Sequence, residues 1–432
     1  MLPSRQLIRS IIVGDRRHDR EITHIFVNGA RARICHRENW YMRFRMTQAK
    51  LSDSRLATYR KWQRMATAQT GKSALQQCRE ILALKKLGGQ CGISDYYWYK
   101  LYDSDYLQGR GAKDFLGWRL QAELSLALNP RNVVLPAWDK TAFMALADSI
   151  GLPVVPTVAT YKASSRLPAV LGMHLRTTAE AASFLRDPSI FPLFGKPAYS
   201  QQGYGSAYLV RLDKANDNLI LLDGESIPVE RFLERLDQSI DKRYHRPECG
   251  FLFQKPLKLA EPIERLTGWN AICGARVICL NGPEGSCPIR AIWKIAVSPN
   301  HVDNFSLGKY GNLLADIDPA TGAISRVLGS LWPQTRLLSN HPVSGEKFQG
   351  FRLPEWQSVL EACRALGELI PMMRIQHIDF AFTNEGIKIL EINDIGGTEI
   401  AQLHGHGLLT ERTRSFLKQF GNRTSYSWIN DL

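Results

Sequence analysis

QHIDFAF at residues 376–382 and IKILEIN at residues 387–393 are the two stretches that decide the fold of this chain. Each alternates like a buried β-strand, and a short polar turn joins them into a predicted hairpin. The pairing predicts that Asp379 lies opposite Glu391 and Asn393. Burying facing carboxylates costs several kcal/mol unless a cation lies between them. Oxygen ligands of this kind are typical of Mg²⁺, which takes its remaining ligands from water and nucleotide phosphates. An edge hairpin with its acids in solvent is the alternative, which the aliphatic neighbours disfavour.

Length and composition predict a soluble, cytoplasmic protein. The chain has 432 residues, 44% hydrophobic and 22% charged, enough for two or three structural lobes. No stretch approaches the roughly 20 apolar residues of a membrane span, and the short apolar patch near the N-terminus does not fit a secretory signal. The eight cysteines show no zinc or disulfide spacing.

The positive charge is concentrated at the N-terminus. Residues 1–65 contain 15 Lys or Arg and 5 Asp or Glu, so they carry 10 of the formal net charge of +14. Aromatic residues lie among these cations at Trp40, Tyr41, Phe44, Tyr59 and Trp62. Such a region could bind nucleic acid, a phosphorylated substrate or an anionic membrane surface. It could equally be a solvated helical face that packs its aromatic residues on the main body, and this is the preferred interpretation.

The remaining pattern predicts an α+β protein with a basic, largely helical N-terminal region. A hairpin is expected over residues 20–35, helices over 47–88 and 92–128, and alternating strands and helices without a fixed repeat thereafter. The predicted domain organisation consists of a basic N-terminal region at 1–66, a helical region at 67–135, a first lobe with a glycine-rich loop at 136–250, a second lobe with the metal hairpin at 251–420, and a tail at 421–432.

Several groups could bind phosphate. Lys196 ends a predicted strand directly before a glycine-rich loop whose candidate ligands are Ser200, Gly203, Gly205 and Ser206. Glycines let backbone N–H groups approach a phosphate, and the lysine would add a point charge. Arg276 and Lys294 each occupy the middle of an apolar strand, which is rare for unpaired cations. They predict a polar trench of phosphate ligands, and the alternative is a structural ion pair with Asp379 or Glu391.

Two other motifs are weaker. ATAQTGKS at residues 66–73 has a loose P-loop pattern, but the basic helix predicted before it is not the buried strand that a P-loop needs, so we reject it. His404 and His406 could form a metal pair or could be ordinary turn residues. FLFQKPL at residues 251–257 could present its backbone to an adenine edge or could be a core strand.

Taken in order, these features resemble the ATP-grasp superfamily, in which two α+β lobes clasp ATP. The resemblance rests on the Asp139-Lys140 helix start, the Gly195-Lys196-Pro197 strand with its loop, the Gln254 strand and the Glu391-x-Asn393 hairpin. More narrowly, the chain resembles the sugar-transfer-associated branch, related to alpha-L-glutamate ligases, over residues 130–410. The residues that indicate this branch are Arg276-Val277-Ile278, Lys294 and VDNF at 302–305.

The resemblance implies a set of roles. Lys140, Lys196, Arg276 and Lys294 would bind the triphosphate, with Arg276 and Lys294 also catalytic. Gln254, Lys255 and Leu257 would form the adenine hinge, and Asp379, Glu391 and Asn393 would hold one or two Mg²⁺ ions, or Mn²⁺. Asp303, Asn304, Gly397 and Thr398 would form the acceptor side. His377 and the segment DIGGT at 394–398 depart from the superfamily pattern there, so the acceptor is not identified.

The expected activity is that of an ATP-dependent carboxylate–amine or carboxylate–thiol ligase acting through an acyl phosphate. Glycosyltransferase pathway partners and a role in cell-surface polysaccharide or glycoconjugate synthesis are further expectations from the resemblance, and nucleic acid is not expected as a partner. A small-molecule kinase using the same nucleotide site is one alternative. Binding of nucleic acid or an anionic surface through residues 1–65 is the other.

Overall fold

The computed structural model describes residues 55–162, 171–200, 203, 205–238, 247–330 and 332–432. The chain divides into two compact units, Met1–Lys61 and Trp62–Leu432. The hairpin predicted at residues 20–35 and most of the basic N-terminal region lie outside the described residues.

Short helices occupy the first part of the described chain, as predicted. The α-helices are α1 (Arg55–Thr70), α2 (Ala74–Leu84), α3 (Ile93–Trp98), α4 (Ser104–Leu107), α5 (Gln121–Leu128), α6 (Leu135–Trp138) and α7 (Lys140–Asp148), with 3₁₀ turns at Ala112–Asp114, Trp118–Leu120 and Arg131–Val133. Ser73 caps α2 in a capping box with Gln76. The P-loop-like motif therefore joins two helices and follows no strand, which confirms its rejection.

The first sheet has seven strands. They are β1 (Thr157–Tyr161), β2 (Met173–Leu175), β3 (Leu193–Pro197), β4 (Ala207–Asp213), β5 (Asn218–Leu221), β6 (Ser226–Pro228) and β7 (Phe251–Gln254), in the order β2-β1-β7-β3-β4-β5-β6. Helices α8 (Thr178–Leu185) and α9 (Val229–Leu236) pack on it in one apolar cluster. Strand β1 begins at Thr157, after Pro153 and Pro156, which have no N–H to donate to a ladder.

The second sheet also has seven strands and is antiparallel throughout. They are β8 (Ala275–Gly282), β9 (Gly285–Ile295), β10 (Leu313–Ile317), β11 (Ile324–Gly329), β12 (Arg336–Leu337), β13 (Ile375–Thr383) and β14 (Gly386–Asn393), in the order β12-β11-β10-β9-β8-β13-β14. The last two strands are the predicted hairpin, so β14 forms one edge. The remaining α-helices are α10 (Glu261–Thr267), α11 (Trp356–Leu369) and α12 (Glu411–Phe420), and further 3₁₀ turns lie at Pro188–Ile190, Pro247–Cys249, Ser306–Gly308, Ile400–Gln402 and Ser427–Asp431.

The two faces of the second sheet pack against different parts of the chain. Successive strand residues point to opposite faces. Val277 and Trp293 belong to a core cluster that includes α11, whereas Ile278 and Ile292 belong to a second cluster that includes the N-terminal helices and α12. We call the face of Ile278 and Ile292 the site face, because the candidate functional side chains project from it.

Within the part of the chain that the structure describes, no helix has both the length and the apolar character needed to cross a bilayer.

Candidate functional site

A single row of side chains crosses six strands on the site face. In register order from the edge it contains Glu391, Asp379, Arg276, Ile292, Asp316 and Arg326. The predicted opposition of Asp379 and Glu391 is confirmed, whereas Asn393 lies opposite His377. The row places charged groups side by side about 5 Å apart, which is the spacing of neighbouring strands.

A β-bulge brings Glu391 onto the site face. Asp379 pairs with Glu391 and Phe380 pairs with Ile389, so Leu390 is an extra residue in the ladder. Ile389 and Ile392 consequently pack in the same core cluster although they are three residues apart. The bulge thus presents Glu391 and Asn393 on the side where Asp379 and Arg276 lie.

Arg276 binds Asp379 in a bidentate ion pair. Its Nε lies 2.7 Å from Oδ1 and its Nη2 lies 2.6 Å from Oδ2 of the carboxylate, whose side chain is only 5% exposed. Arg276 also donates through Nη1 to the carbonyl oxygen of Gly396. Burial alone would raise the pKa of the Asp379 carboxyl, but Arg276 and Lys294 outweigh burial and hold it below its usual range. Arg276 therefore forms the ion pair with Asp379 that the sequence analysis gave as the alternative to a phosphate ligand.

Lys294 lies between two acids. Its Nζ is 3.5 Å from Oδ2 of Asp303 and 3.6 Å from Oδ2 of Asp379. Asp303 also accepts the backbone N–H of Gly274 at 2.7 Å. Burial raises the pKa of Asp303 despite the nearby lysine. We call Arg276, Asp379, Lys294 and Asp303 the ionic network.

Two lysines from the first lobe reach the edge strand. Lys140 is at the N-terminus of α7. Its Nζ lies 3.6 Å from Oε2 of Glu391 and donates to the carbonyl oxygen of Ser200 at 2.7 Å. Lys196, at the end of β3, donates to the carbonyl oxygen of Leu390 at 3.3 Å. Burial and the neighbouring Lys140 lower the pKa of Lys196 to about 8. The structure therefore brings all four predicted phosphate-binding cations to the same hairpin.

The predicted metal ligands fit Mg²⁺ in their chemistry, since they offer carboxylate and amide oxygens. The amide nitrogen of Asn393 donates to Oε1 of Glu391 at 3.3 Å, so the two side chains are in contact. The amide oxygen of Asn393 takes no part in this hydrogen bond. Among the described residues, no three His, Cys, Asp or Glu side chains converge as a metal cluster. Asp379, Glu391 and Asn393 would therefore hold the ion together with water and phosphate oxygens, as Mg²⁺ usually requires.

The glycine-rich loop is partly described. Gly203 and Gly205 have φ of +75° and +76°, a conformation that glycine adopts without strain. Ser206 donates its backbone N–H to the carbonyl oxygen of Gly203 at 3.1 Å, so the loop closes in a turn. A side chain added at Gly203 would meet no atom within 4 Å. Gly203 is therefore exposed at this turn.

The predicted adenine hinge begins at the end of a central strand of the first sheet. Gln254 is buried on β7 between β1 and β3, and its amide contacts the carbonyl oxygen of Val155 and the hydroxyl of Thr157 at 3.3 Å. Lys255 is exposed and Leu257 is half-buried beyond the strand. Gln254 therefore has a structural role that its sequence context did not indicate, and the backbone N–H of Lys255 after it donates to the carbonyl oxygen of Pro156 at 3.2 Å.

The four residues predicted to form the acceptor side lie in different surroundings. Asp303 belongs to the ionic network, but the side chain of Asn304 accepts the backbone N–H of Ser306 in a local turn. A Cβ added at Gly397 would lie 3.7 Å from Nη1 of Arg276, so this glycine is beside the network. Thr398 is buried, and its hydroxyl has no protein partner among the described residues.

Other residues of the site were missed by sequence reasoning. The carbonyl oxygen of Leu390 accepts from Lys196, and that of Gly396 accepts from Arg276. Contacts made by the main chain cannot be recognised from the type of side chain in the sequence. His377 is buried next to Asp379, and burial followed by the charge of Arg276 lowers its pKa to about 3, so it is neutral. Burial raises the pKa of Glu399 to about 7. Glu399 lies beyond the hairpin, after two glycines and a threonine, so no local signal in the sequence indicated it.

Of the two interpretations of His404 and His406, the structure favours ordinary structural residues over a metal pair. Nε2 of His404 lies 2.9 Å from the carbonyl oxygen of Leu314, and Nδ1 of His406 lies 2.9 Å from Oδ2 of Asp316. Asp316 also accepts from Arg290 at 2.8 Å. The histidines thus fasten the C-terminal segment to β10, and His406 joins a second buried ion pair.

Comparisons with known proteins give a family match and several similar solved structures. The sequence model of the sugar-transfer-associated ATP-grasp family matches residues 119–418. Similar solved structures include D-alanyl-alanine synthetase A from Vibrio cholerae, with a TM-score of 0.35, 13% identity and 72% of each chain covered. They also include N5-carboxyaminoimidazole synthase from Aspergillus clavatus, with a TM-score of 0.31, 9% identity and 68% of this chain covered. The corresponding synthetase from Staphylococcus aureus gives a TM-score of 0.33, 9% identity and 66% coverage of this chain.

The chain spans less than two thirds of the two carboxyaminoimidazole enzymes, 58% of the Aspergillus protein and 56% of the Staphylococcus protein. A search of curated proteins finds no match.

Proposed function

Because this chain belongs to the sugar-transfer-associated ATP-grasp family, we propose that it is an ATP- and Mg²⁺-dependent ligase that joins a carboxylate to an amine or a thiol. Family membership confirms the predicted ATP-grasp fold and the predicted class of enzyme. The observation that carries the proposal is the convergence of four cations on the acidic hairpin, namely Lys140, Lys196, Arg276 and Lys294. Four cations and three acids in one place suit a polyphosphate bound with a divalent cation.

The first chemical step would form an acyl phosphate. A carboxylate oxygen of the substrate attacks the γ-phosphorus of ATP, the new P–O bond forms, and the bond to ADP breaks. Asp379, Glu391 and Asn393 would hold Mg²⁺, which would stabilise the negative charge of the phosphates. Lys140 and Lys196 would hold the phosphates from the first lobe. Lys294 lies on the site face where it would stabilise the charge on the transferred phosphoryl group.

The second step would form the product. An amine or thiol attacks the carbonyl carbon, the C–N or C–S bond forms, phosphate leaves, and the nucleophile loses its proton. The chain need supply no nucleophile of its own, because both covalent bonds form between substrates. The positions of Arg276, Lys294 and Asp303 fit the roles of orienting and neutralising the acyl phosphate.

Hydroxylamine trapping tests this chemistry. The protein would be mixed with Mg-ATP, hydroxylamine and a panel of amino acids and uronic acids, and both ADP and ferric-coloured hydroxamate would be measured. We expect equal amounts of ADP and hydroxamate with at least one acid. ADP formed together with a phosphorylated hydroxyl compound and without hydroxamate would instead favour a kinase. Absence of ADP formation together with absence of Mg-AMP-PNP binding would contradict both.

A further inference from the structure

The segment that follows the metal hairpin passes beside the ionic network. Arg276 donates through Nη1 to the carbonyl oxygen of Gly396. The next residue, Gly397, is half-buried and has φ of +68°, a conformation that favours glycine. Glu399 then directly precedes the 3₁₀ turn Ile400–Gln402. Four consecutive residues therefore connect the guanidinium of the network to a buried acid.

A carboxylate and a guanidinium flank a single point beside Gly397. A Cβ built on this glycine would lie 3.6 Å from Oε2 and 3.8 Å from Oε1 of Glu399, and 3.7 Å from Nη1 of Arg276. These are the three nearest atoms outside Gly397 and its chain neighbours. The two oxygens are nearly equidistant from the point, so the carboxylate faces it. All three distances are ordinary van der Waals contacts, so one non-hydrogen atom fits here. We call this point the Gly397 position.

Buried polar groups on the same segment and next to it have hydrogen-bonding capacity left over. Thr398 is only 2% exposed, and its hydroxyl has no protein partner among the described residues. Nδ1 of the buried His377 has none either in that part of the chain, and a Cβ added at Gly396 would lie 2.3 Å from it. Buried polar groups are nearly always hydrogen-bonded, so this segment suits a polar ligand.

A structural role at the 3₁₀ turn does not account for Glu399. The residue stands at the N-cap position of Ile400–Gln402, but its side chain does not cap the turn. Burial raises the pKa of Glu399 to about 7, and its own backbone N–H lowers it by less. A carboxylate of this kind is ionised in about half of the molecules at pH 7, which is the property of a group that accepts and releases protons.

We propose that the Gly397 position receives the nitrogen of an amine nucleophile and that Glu399 accepts the proton of that amine in the second chemical step. The nitrogen lone pair forms the C–N bond, and phosphate leaves with the electron pair of the C–O bond. The N–H proton passes to the Glu399 carboxylate and then to water. Arg276 flanks the other side of the position, where the proposed acyl phosphate would lie. This inference rests on the proposed ligase function and names its base and its class of nucleophile.

The charge at the Gly397 position favours an amine over a thiol. An amine can donate its N–H groups to the two oxygens of Glu399. The reactive form of a thiol is the anionic thiolate, which a carboxylate repels. Transfer of a proton to a positioned side chain typically contributes on the order of 10²- to 10⁴-fold to a rate, so loss of Glu399 should be plain in the second step.

A comparison of the two half-reactions tests the role of Glu399. The full chain would be mixed with Mg-ATP, the acid that supports hydroxamate formation, and hydroxylamine below the concentration that saturates the wild type. Single-turnover mixing and rapid quenching measure ADP, which reports the first step, and hydroxamate, which reports the second. We expect Glu399→Gln to slow hydroxamate formation about a hundredfold relative to ADP formation.

Two further variants complete the experiment. Glu399→Asp keeps the charge but draws it back from the Gly397 position, so its ratio of hydroxamate to ADP formation should fall between those of the wild type and Glu399→Gln. This variant decides the question if Glu399→Gln does not fold. Glu411→Gln changes an exposed acid at the start of α12, and as the matched control it should keep the wild-type ratio.

The outcomes separate this inference from the ligase proposal. Equal slowing of both half-reactions in a folded Glu399 variant, or hydroxamate formation as fast as in the wild type, would overturn the role of Glu399 and leave the ligase standing. Phosphate release by the wild type as fast with 2-mercaptoethanol as with hydroxylamine would overturn the assignment of an amine. Absence of ADP formation with every acid would overturn the ligase proposal and this inference together.

Discussion

Two buried arginine–aspartate pairs lie on one face of the second sheet, and their surroundings differ. The pair of Arg276 and Asp379 has Lys294 and Asp303 beside it and Glu391 next in the row. The pair of Arg290 and Asp316 has Arg326 next to it in the row and, among the described residues, no second acid within salt-bridge distance. A buried ion pair by itself contributes little net stability, so what surrounds each pair indicates its use.

The difference teaches how one sheet can hold two kinds of charged site. Around Asp379, cations and acids alternate, which suits a ligand that brings both phosphate and a divalent cation. Around Asp316, Arg290 and Arg326 donate to the carbonyl oxygens of Ala401 and His404, which suits the fastening of the C-terminal segment to the sheet. Ile292 is fully buried between the pairs and keeps the two groups of charges apart. Four experiments would break or sharpen this comparison.

The largest effect is expected from Glu391→Gln, which should reduce ADP formation about a thousandfold. The substitution keeps the shape of the side chain but removes the charge that faces both Lys140 and the proposed metal position. Steady-state ADP release measures it. Glu385→Gln is the control, because Glu385 is an exposed acid in the turn of the same hairpin. Equal activity in the two variants would remove Glu391 from the metal site.

Replacing either aspartate by asparagine should lower the free energy of unfolding by about 3–5 kcal/mol, because each change leaves a buried guanidinium without its carboxylate. Denaturant titration measures this for Asp379→Asn and Asp316→Asn. Only Asp379→Asn should also abolish Mg-AMP-PNP binding. If Asp316→Asn abolished nucleotide binding while remaining folded, the two pairs would serve one site and the comparison would fail.

The affinity for Mg-ADP should fall by about tenfold between pH 7 and pH 9. Lys196 has a pKa lowered to about 8, so it is charged below that pH and loses its charge as the pH rises through it. The contribution of Lys196 to phosphate binding is therefore complete at pH 7 and largely lost at pH 9. Lys196→Arg stays protonated over this range and should give a flat profile. A wild-type profile as flat as that of the variant would contradict the assignment.

The smallest effect is expected from Ser325→Ala, which removes one hydrogen bond to Asp316 and should cost about 1 kcal/mol of unfolding free energy or less. Arg290 and His406 still hold the carboxylate. ADP release should be unchanged, because Ser325 lies on the side of the row away from the hairpin. Reduced ADP release in the folded variant would show that the two groups of charges are coupled.

Much of this fold could be predicted from the alternation of apolar and polar residues and from the positions of turn residues in the sequence. The hairpin of β13 and β14, the strands that hold Lys196, Arg276 and Lys294, and the helix that begins at Lys140 are all where the pattern placed them. These elements are determined locally, by apolar periodicity and by turn residues. Their convergence was predicted through the family resemblance, since spacing alone does not bring residues 140 and 391 together.

The remainder depends on contacts between distant segments. Asp379 was expected to need a metal ion, yet Arg276, 103 residues away, provides its countercharge. Arg290 and Asp316 each stand among apolar neighbours, as Arg276 does, but sequence reasoning did not single them out. Local pattern shows that a charge is buried and does not show which partner it meets. The hairpin and basic residues before residue 55 stay predictions.

The bulge at Leu390 makes the register of this hairpin a condition of its chemistry. If the strand kept all its residues but lost the bulge, Leu390 would pair with Asp379, and the carboxylate of Glu391 would point into the core cluster on the opposite face. The doubled apolar residues at Ile389 and Leu390, where strict alternation fails, mark the position in the sequence. Removal of Leu390 itself would restore regular alternation and leave Glu391 opposite Asp379. The side of the protein that carries the acid thus depends on where this strand accommodates its extra residue.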